Sequence, residues 1–291
     1  SDPNAPFVVG SQYPAGPANQ VAVTGTIAVA TGTPRGTDII DISDPTRPVV
    51  ASSVAGSSGD VAINGRYAYV AAQGDLQVVD LAVPWNAVVV GTVVTPSIAY
   101  GVAVSGTKAV VSDAFAGLHV LDISNPASPR IAGSVSLGGF AGKVAIAGNT
   151  ALVANSNLGG VQIVDISNAA SPRLLTTVST GSAPNVTVSG SIAYVSANGN
   201  GLYIIDISNP ASPVVLATYG APASACAVSD GIAYLAQGSL GVHLVDVSNP
   251  AAPRGVATYK TVGSCSDVTV IPGYVIAADG TSLLSIFEML Y

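Results

Sequence analysis

Short runs of alternating apolar and polar residues, four to each unit of roughly forty residues, make up almost the whole chain. One unit reads KVAIAG (143–148), NTALVAN (149–155), GVQIVDIS (160–167) and PRLLTTVS (172–179). Period-two alternation with many β-branched residues predicts strands, and the glycines in VSG, INGR and IAGN mark a tight turn between the first two strands. No segment combines helical spacing with helix caps. Each unit therefore predicts four short antiparallel strands.

The third predicted strand of each unit ends in a recurring phrase, of which LDISNPASPR (121–130) is one copy. The related copies are IIDISDPTRP (39–48), IVDISNAASPR (163–173), IIDISNPASP (204–213), LVDVSNPAAPR (244–254) and the degenerate VVDLAVPWNAV (78–88). Aspartate, serine and asparagine bond nearby backbone amides, and proline ends a ladder, so the phrase predicts a strand-ending turn. Its aspartates are Asp41, Asp80, Asp122, Asp165, Asp206 and Asp246, and the same spacing places Phe287 at the seventh position.

Seven such units use the whole chain, which predicts one all-β domain over residues 1–291. Seven four-stranded antiparallel units match a seven-bladed β-propeller. The chain begins with PFVVGS (6–11), which aligns with the outermost strand PRIAGS (129–134), and it ends with LLSIFE, which aligns with a third strand. We therefore expect strand 7–13 to pair with the blade at 267–289, so that the N-terminal strand completes the last blade and removes its free edge.

The units G(V/L)xxxDxSNPxxP followed by VAVSGxxAYVA resemble the LVIVD-repeat family of bacterial and archaeal exported proteins. The resemblance covers essentially the full chain. It implies a seven-bladed propeller of cell-surface or secreted proteins, and it supplies no catalytic residues. The second unit, with DLAVPWNA, and the seventh, with Phe287, depart from the pattern.

Composition narrows the range of partners. Mean hydropathy is +0.55, but the most apolar stretch, residues 88–104, is broken by Thr92, Pro96 and Ser97, which predicts no transmembrane segment. The net charge of −7 and the few scattered basic residues offer no stripe for a nucleic acid backbone. The start at Ser1 and the composition fit a mature secreted product without its signal peptide, so we expect an extracellular, cell-surface or periplasmic location.

Two cysteines, Cys226 and Cys265, lie near the start of the innermost strand in consecutive units. Two alternatives remain open for them. Neighbouring blades bring them together in a disulfide, which an oxidising compartment allows. Otherwise they pack as two buried thiols, like small apolar side chains.

The chain holds no convergent reactive group, and we expect no catalytic residues, no metal and no cofactor. The repeated aspartates are spread around a ring, one to a blade, whereas catalysis needs different groups at one place. His119 and His243 share one repeat position on blades that two others separate, so they cannot share a metal ion. No GxSxG segment is present, which argues against a serine hydrolase.

Binding residues are predicted from the repeat alignment. Each innermost strand contributes the residue just before its first valine or the equivalent position. These seven residues should form a ring around one end of the axis: Gln20, Asp60, Gly101, Lys143, Asn185, Ala225 and Asp267. The nearby loops supply aromatic residues that either stack on a ligand or fill gaps between blades: Tyr13, Tyr100, Phe140, Tyr219 and Tyr259. Trp85 replaces the alanine or threonine of the other turns, and it either forms an interface or covers its own blade.

The sequence thus favours a non-enzymatic extracellular propeller that acts as a rigid interaction or scaffold module. Its expected partners are proteins at the cell surface or further copies of itself. The alternative is a glycan-binding or small-molecule-binding protein, or a polysaccharide-acting enzyme, with its site at the central funnel. In that case Asp60 and Asp267, the two acids of the ring, would provide a carboxylate pair.

Overall fold

The computed structural model describes residues 8–12, 18–33, 36–56, 58–197, 199–280 and 284–289. Within these ranges 28 strands form seven antiparallel sheets of four strands each. A 3-10 turn at Pro84–Asn86 interrupts the second unit. This confirms the predicted all-β propeller with seven blades.

The blades follow the chain, and each is described from its innermost strand outward. Blade 1 contains β2 (Gln20–Thr24), β3 (Ile27–Thr33), β4 (Gly36–Asp41) and β5 (Val49–Val54). Blade 2 contains β6 (Ser58–Asn64), β7 (Tyr67–Ala72), β8 (Asp75–Asp80) and β9 (Val88–Val94). Blade 3 contains β10 (Ala99–Ser105), β11 (Lys108–Asp113), β12 (Gly117–Asp122) and β13 (Arg130–Val135). Blade 4 contains β14 (Ala141–Ala147), β15 (Thr150–Asn155), β16 (Gly160–Asp165) and β17 (Arg173–Ser179).

The remaining blades continue this order. Blade 5 contains β18 (Asn185–Ser189), β19 (Ile192–Ala197), β20 (Gly201–Asp206) and β21 (Val214–Tyr219). Blade 6 contains β22 (Ala225–Ser229), β23 (Ile232–Ala236), β24 (Val242–Asp246) and β25 (Arg254–Tyr259). Blade 7 contains β26 (Cys265–Ile271), β27 (Tyr274–Asp279), β28 (Leu284–Glu288) and the N-terminal β1 (Val8–Gln12).

The seven innermost strands contact one another in a closed ring around the axis, in the order β2, β6, β10, β14, β18, β22, β26 and back to β2. Because the strands of a blade alternate in direction, first strands begin and second strands end on the same side of the disc. We call this side the funnel face. The opposite side carries the hairpins between first and second strands and the turns with the repeated aspartates, and we call it the turn face.

Apolar side chains pack between blades rather than within one. Seven clusters of buried residues each join two neighbouring blades. For example, Leu118 and Val120 of blade 3 pack with Val153 and Val164 of blade 4. Both faces of every sheet are therefore buried, which explains the high hydropathy of a chain without a membrane-spanning pattern. Nowhere in the described part of the chain does a helix reach the length and hydropathy of a membrane span.

The recurring phrase forms the turn that the sequence predicts. In blade 3 the Oδ1 atom of Asp122 accepts a hydrogen bond of 3.0 Å from the backbone N–H of Ser124. Asn125 accepts another from the N–H of Ala127, at 3.2 Å, and Arg130 reaches the second oxygen of Asp122. The same aspartate bond recurs in the other copies of the phrase. The repeated aspartates therefore hold turns, as expected.

The N-terminal strand completes the last blade. Strand β1 pairs antiparallel with β28, with Ser11 opposite Ser285 and Val8 opposite Phe287. Val8 and Val9 pack against the clusters on either side of blade 7. The predicted closure is confirmed for residues 8–12, whereas Phe7 and Tyr13, the ends of the predicted strand 7–13, lie outside the described residues.

The predicted position of Phe287 in the repeat is wrong by one residue. In blade 3 Asp122 lies opposite Lys108, and in blade 7 the corresponding residue Tyr274 lies opposite Glu288. Glu288 is therefore the counterpart of the repeated aspartate. Phe287 is fully buried between blades 6 and 7. A one-residue shift moves a strand side chain to the other face of its sheet, so the two positions have opposite surroundings.

Both cysteines are free thiols, so the disulfide alternative does not hold in this structure. Cys226 is buried between blades 5 and 6, whereas Cys265 is buried between blades 6 and 7. Their side chains thus occupy different clusters, with the sheet of blade 6 between those clusters. Burial raises the pKa of both thiols well above the usual range, which disfavours the reactive thiolate.

Candidate functional site

The predicted ring forms at the funnel face, because each of its residues precedes the first inward-packed residue of an innermost strand. Val61 of blade 2 lies opposite Val70, and Val144 of blade 4 lies opposite Val153, which places Asp60 and Lys143 at equivalent positions. Only five of the seven ring residues carry polar side chains, namely Gln20, Asp60, Lys143, Asn185 and Asp267.

Lys143 joins three blades across the axis. Its ammonium group donates hydrogen bonds to Oδ1 of Asp60 on blade 2 and to Oε1 of Gln20 on blade 1. The side chains of Lys143 and Asp60 are 13% and 10% exposed, so this ion pair is largely withdrawn from water. We call these three side chains the axial bridge.

The carboxylate of Asp60 has further partners. Its Oδ1 atom also accepts from the N–H of Val61, and Oδ2 accepts from the N–H of Val102 in blade 3, each at 3.0 Å. These three donors, one of them charged, compensate the buried carboxylate. Asp60 is therefore a structural acceptor that ties blades 2, 3 and 4 together.

Asp267 makes a similar contact, but no basic side chain in the described ranges forms an ion pair with it. Its Oδ2 atom accepts from the N–H of Val21 in blade 1, at 3.0 Å. Burial raises the pKa of the Asp267 carboxyl above its usual value, and the charge of Asp60 adds to the effect, while Lys143 and the bond from Val21 oppose it. The ionised form of Asp267 is thus incompletely compensated by the residues around it.

Two cavities meet at the axial bridge. A mouth pocket of about 320 Å³ opens on the funnel face and is lined by Asn19, Gln20, Gly59, Asp60, Tyr100, Lys143 and Ser266. An axial cavity of about 300 Å³ is lined by Asp60, Lys143, Asn185 and Asp267 together with residues of the innermost strands. Asp60 and Lys143 belong to both, so the axial bridge lies between them.

Aromatic residues cluster beside the mouth pocket. The rings of Tyr100 and Phe140 meet edge to face with centroids 4.9 Å apart, and Phe115 meets Phe140 in the same way at 5.5 Å. The N–H of Ala141 donates to the carbonyl oxygen of Ala114, which holds the loop of Phe115 against blade 4. Phe115 is 67% exposed and Tyr100 is 44% exposed. We call Tyr100, Phe115 and Phe140 the aromatic patch.

Other predicted aromatic residues fill gaps between blades. The ring of Tyr219 stacks on His243, and its hydroxyl lies 3.0 Å from Nε2 of that histidine. Tyr259 is buried against Phe287, with ring centroids 5.5 Å apart. Tyr13 lies outside the described residues.

The histidines have structural partners. His119 is 3% exposed, and its two ring nitrogens lie within hydrogen-bond distance of Ser134 and Asp113. This group is closed to a substrate by burial, although it contains the residue types of a serine triad. His243 contacts Thr258 as well as Tyr219. Among the described residues, no three His, Cys, Asp or Glu side chains form a group suited to a metal ion.

Trp85 lies on the turn face, remote from the funnel. It belongs to the 3-10 turn of blade 2, whose Pro84 carbonyl accepts a bond from Ser52 of blade 1. The residue is 60% exposed and lines a groove of about 260 Å³ with Asp44 and Arg47. The structure therefore separates Trp85 from the ring residues.

Comparison with known families assigns the repeat. The sequence profile of the LVIVD repeat matches six consecutive segments, at 15–55, 55–95, 97–136, 138–180, 180–221 and 220–261. The chain belongs to the LVIVD-repeat family. Each matched segment contains one blade of the LVIVD propeller, and the blade outside them is the one that the two chain ends share.

Solved structures resemble this LVIVD propeller in fold. The WD40 propeller domain of Doa1 has a TM-score of 0.80 at 11% identity, over 98% of this chain and 97% of that chain. The Cps50 (Swd1) propeller domain of Myceliophteria thermophila has a TM-score of 0.79 at 13% identity, over 97% and 99%. The computationally designed Ika8 protein has a TM-score of 0.69 at 11% identity, over 97% and 99%. A search of curated proteins finds no match to this sequence.

Sequence reasoning missed part of the site of this LVIVD protein. It identified Gln20, Asp60 and Lys143 as ring members but not their mutual contact. It also omitted Phe115, which ends the loop SDAF (112–115). The sequence did contain a signal for Phe115. This aromatic residue follows the second strand of its unit, on the face where Tyr100 and Phe140 were expected.

Proposed function

We propose that this LVIVD propeller is a non-enzymatic interaction module that binds a protein partner through its funnel face. The observation that carries the proposal is an unequal distribution of exposed charged side chains between the two faces. Interfaces are depleted of charged residues at their centres and enriched in aromatic ones.

The exposed charged residues of the described ranges lie on the turn face, with the exception of Lys260. They are Asp44, Arg47, Arg66, Arg130, Arg173, Asp230, Arg254 and Glu288. Each belongs to a hairpin or turn of that face or to a strand end beside it. The turn face is therefore well suited to remain in water.

Both faces expose large apolar residues, but on the turn face Val83 and Trp85 lie among the exposed charges. On the funnel face the exposed large apolar residues of the described ranges are Val94, Ile98, Tyr100, Phe115, Leu158, Leu240 and Val262. The aromatic patch lies among them at blades 3 and 4, beside the mouth pocket. Exposed apolar residues grouped on one side of a protein mark a site of contact with another molecule.

The proposal extends to location and to the absence of catalysis. The extracellular or cell-surface location rests on the LVIVD family, whose members are typically extracellular. The non-enzymatic role is supported by the partners of the ring acids. Asp60 is occupied by Lys143 and two backbone N–H groups, and a base held in this way is poorly placed to take a proton from a substrate.

A photocrosslinking experiment tests which face binds. A photoreactive amino acid replaces Phe115 on the funnel face or, as the matched control, Trp85 on the turn face. In the producing organism we expect a discrete adduct from position 115 and none from position 85. The double variant Tyr100→Ser with Phe115→Ser should lose the partner, whereas Val83→Ser with Trp85→Ser should keep it. Adducts of equal strength from both positions, or none from position 115, contradict the proposal.

Glycan binding at the same face is the second candidate, and the mouth pocket favours it. Polar residues and the half-exposed ring of Tyr100 line this pocket, and sugars bind to such combinations. A glycan array with the parent protein and the Tyr100→Ser variant tests this candidate. Specific binding that the variant loses supports it, and an array without specific binding removes it.

A further inference from the structure

A third pocket lies on the turn face, between the hairpins of blades 3 and 4, and has a volume of about 280 Å³. Blade 3 contributes Ser105, Thr107 and Lys108 to its lining, and blade 4 contributes Asn149 and the half-buried side chain of Ile146. No aspartate or glutamate of the described ranges lines it. The pocket therefore offers one positive charge and several hydrogen-bond donors, in a protein whose net charge is −7.

The pocket follows from a difference between neighbouring hairpins. The Nδ2 atom of Asn64 donates a hydrogen bond of 2.7 Å to the carbonyl oxygen of Gly106, which joins the hairpins of blades 2 and 3. Ser105 has the position of Asn64 in the hairpin of blade 3, because the two residues pair with Lys108 and Tyr67 in the same register. The side chain of Ser105 is shorter, and within the described ranges it makes no such bond to blade 4. A gap therefore remains between blades 3 and 4.

Lys108 occupies a position that most other blades fill with a packing side chain. The residue opposite the repeated acid is isoleucine in blades 1, 5 and 6, tyrosine in blades 2 and 7, and threonine in blade 4. In blade 3 it is a half-buried lysine. The aliphatic part of Lys108 therefore takes the place of an apolar side chain, and the ammonium group lies beyond it, towards the pocket.

The ammonium group of Lys108 is not neutralised by an acid of the described ranges. Its Nζ atom donates one long hydrogen bond, of 3.4 Å, to the carbonyl oxygen of Ile166, which also lines the pocket. None of the ion pairs in these ranges includes Lys108. Both oxygens of Asp122, and likewise both of Asp165, accept from a serine N–H and an arginine of their own turn. An ammonium group carries three donors, so Lys108 can bind a further acceptor from the pocket.

We propose that this pocket binds a small organic monocarboxylate. The carboxylate accepts a charge-assisted hydrogen bond from Lys108. Ser105, Thr107 and Asn149 supply further donors, and a short alkyl part contacts Ile146. One positive charge matches a monoanion, whereas a phosphate dianion would keep an uncompensated charge. The site is independent of partner binding by the aromatic patch, which lies on the opposite side of the disc.

Titration of the whole protein with propionate at constant pH and ionic strength, followed by NMR, tests the proposal. The backbone amide signals of Thr107 and Asn149 should shift and reach saturation. Propionamide has a similar shape without the charge, and it should bind about fivefold more weakly or less.

Variants of two lysines test the charge. Lys108→Met should weaken propionate binding about fivefold or more. This variant should fold, because isoleucine or tyrosine occupies the same position in five other blades. The matched control Lys260→Met removes an exposed charge outside the turn face and should leave the affinity within about twofold.

A further variant tests the place of binding without a change of charge. Ser105→Asn introduces the side chain that joins the hairpins of blades 2 and 3, so it should narrow the gap and weaken propionate binding about threefold or more. The proposal is overturned if propionate causes no saturable shift, or if Lys108→Met or Ser105→Asn binds it as well as the parent does. It is also overturned if propionamide binds as well as propionate, or if only phosphate ions shift the signals.

Discussion

Lys143 and Asp60 form an ion pair across the axis of the propeller, although 83 residues and one intervening blade separate them. Gln20 of blade 1 accepts from the same ammonium group, so one side chain connects blades 1, 2 and 4. The axial bridge therefore contributes to ring stability as well as to the shape of the site.

Replacement of Lys143 by Met should be strongly destabilising, because it leaves Asp60 buried without its counter-charge. Loss of one partner of a buried pair costs about 3–5 kcal/mol, and contact with the cavity places this case at the lower end. Urea denaturation measures the change in the free energy of unfolding. The double variant Lys143→Met with Asp60→Asn should be more stable than the single one. A single variant as stable as the parent contradicts this account of the axial bridge.

Deletion of residues 1–12 should destabilise the protein by several kcal/mol and promote aggregation. The deletion removes β1, its ladder with β28, and the apolar contacts of Val8 and Val9. It also exposes the edge of β28. Thermal unfolding and light scattering measure both effects, and deletion of residues 1–4, which precede the strand, is the control. If the longer deletion melts at the parent temperature and stays monodisperse, closure does not depend on β1.

The turn aspartates should make the protein lose stability in strong acid. Bonds from Ser124 and Arg130 lower the pKa of Asp122 to about 2, and the equivalent bonds from Ser167 and Arg173 do so for Asp165. Since the folded-state values lie below the unfolded value of 3.8, this stabilisation is complete above about pH 4 and is lost as the pH falls through about 2. Melting temperatures from pH 6 to 2 measure the loss. The variant Asp122→Asn with Asp165→Asn should show a shallower decline, and a parallel decline would refute this origin.

Both cysteines should be unreactive in the folded protein. Cys226 and Cys265 are buried in separate clusters, and burial disfavours their thiolates. A thiol reagent should therefore modify both only after addition of denaturant. Intact mass after alkylation under denaturing conditions, without reductant, should show two added groups. A mass two units below that of the reduced chain, with no alkylation, would reveal the disulfide instead.

The sequence alone determined the blades. Alternation within each unit defines strands, the recurring phrase defines turns, and seven units close a ring once the N-terminal strand supplies the missing edge. These features depend on residues that are close in sequence and on a periodic spacing, so they can be recognised from the amino-acid sequence without the structure. The ring positions of Asp60, Lys143 and Asn185 followed for the same reason, because each has a constant offset within its unit.

The tertiary structure decided how these positions interact. The reach of Lys143 to Gln20 and Asp60 depends on the width of the axis and the direction of a long side chain, which no repeat encodes. The face of the sheet that a residue occupies explains two further differences. It separates Cys226 from Cys265, and it makes Glu288 rather than Phe287 the counterpart of the repeated aspartates. A shift of the register by one residue reverses that face.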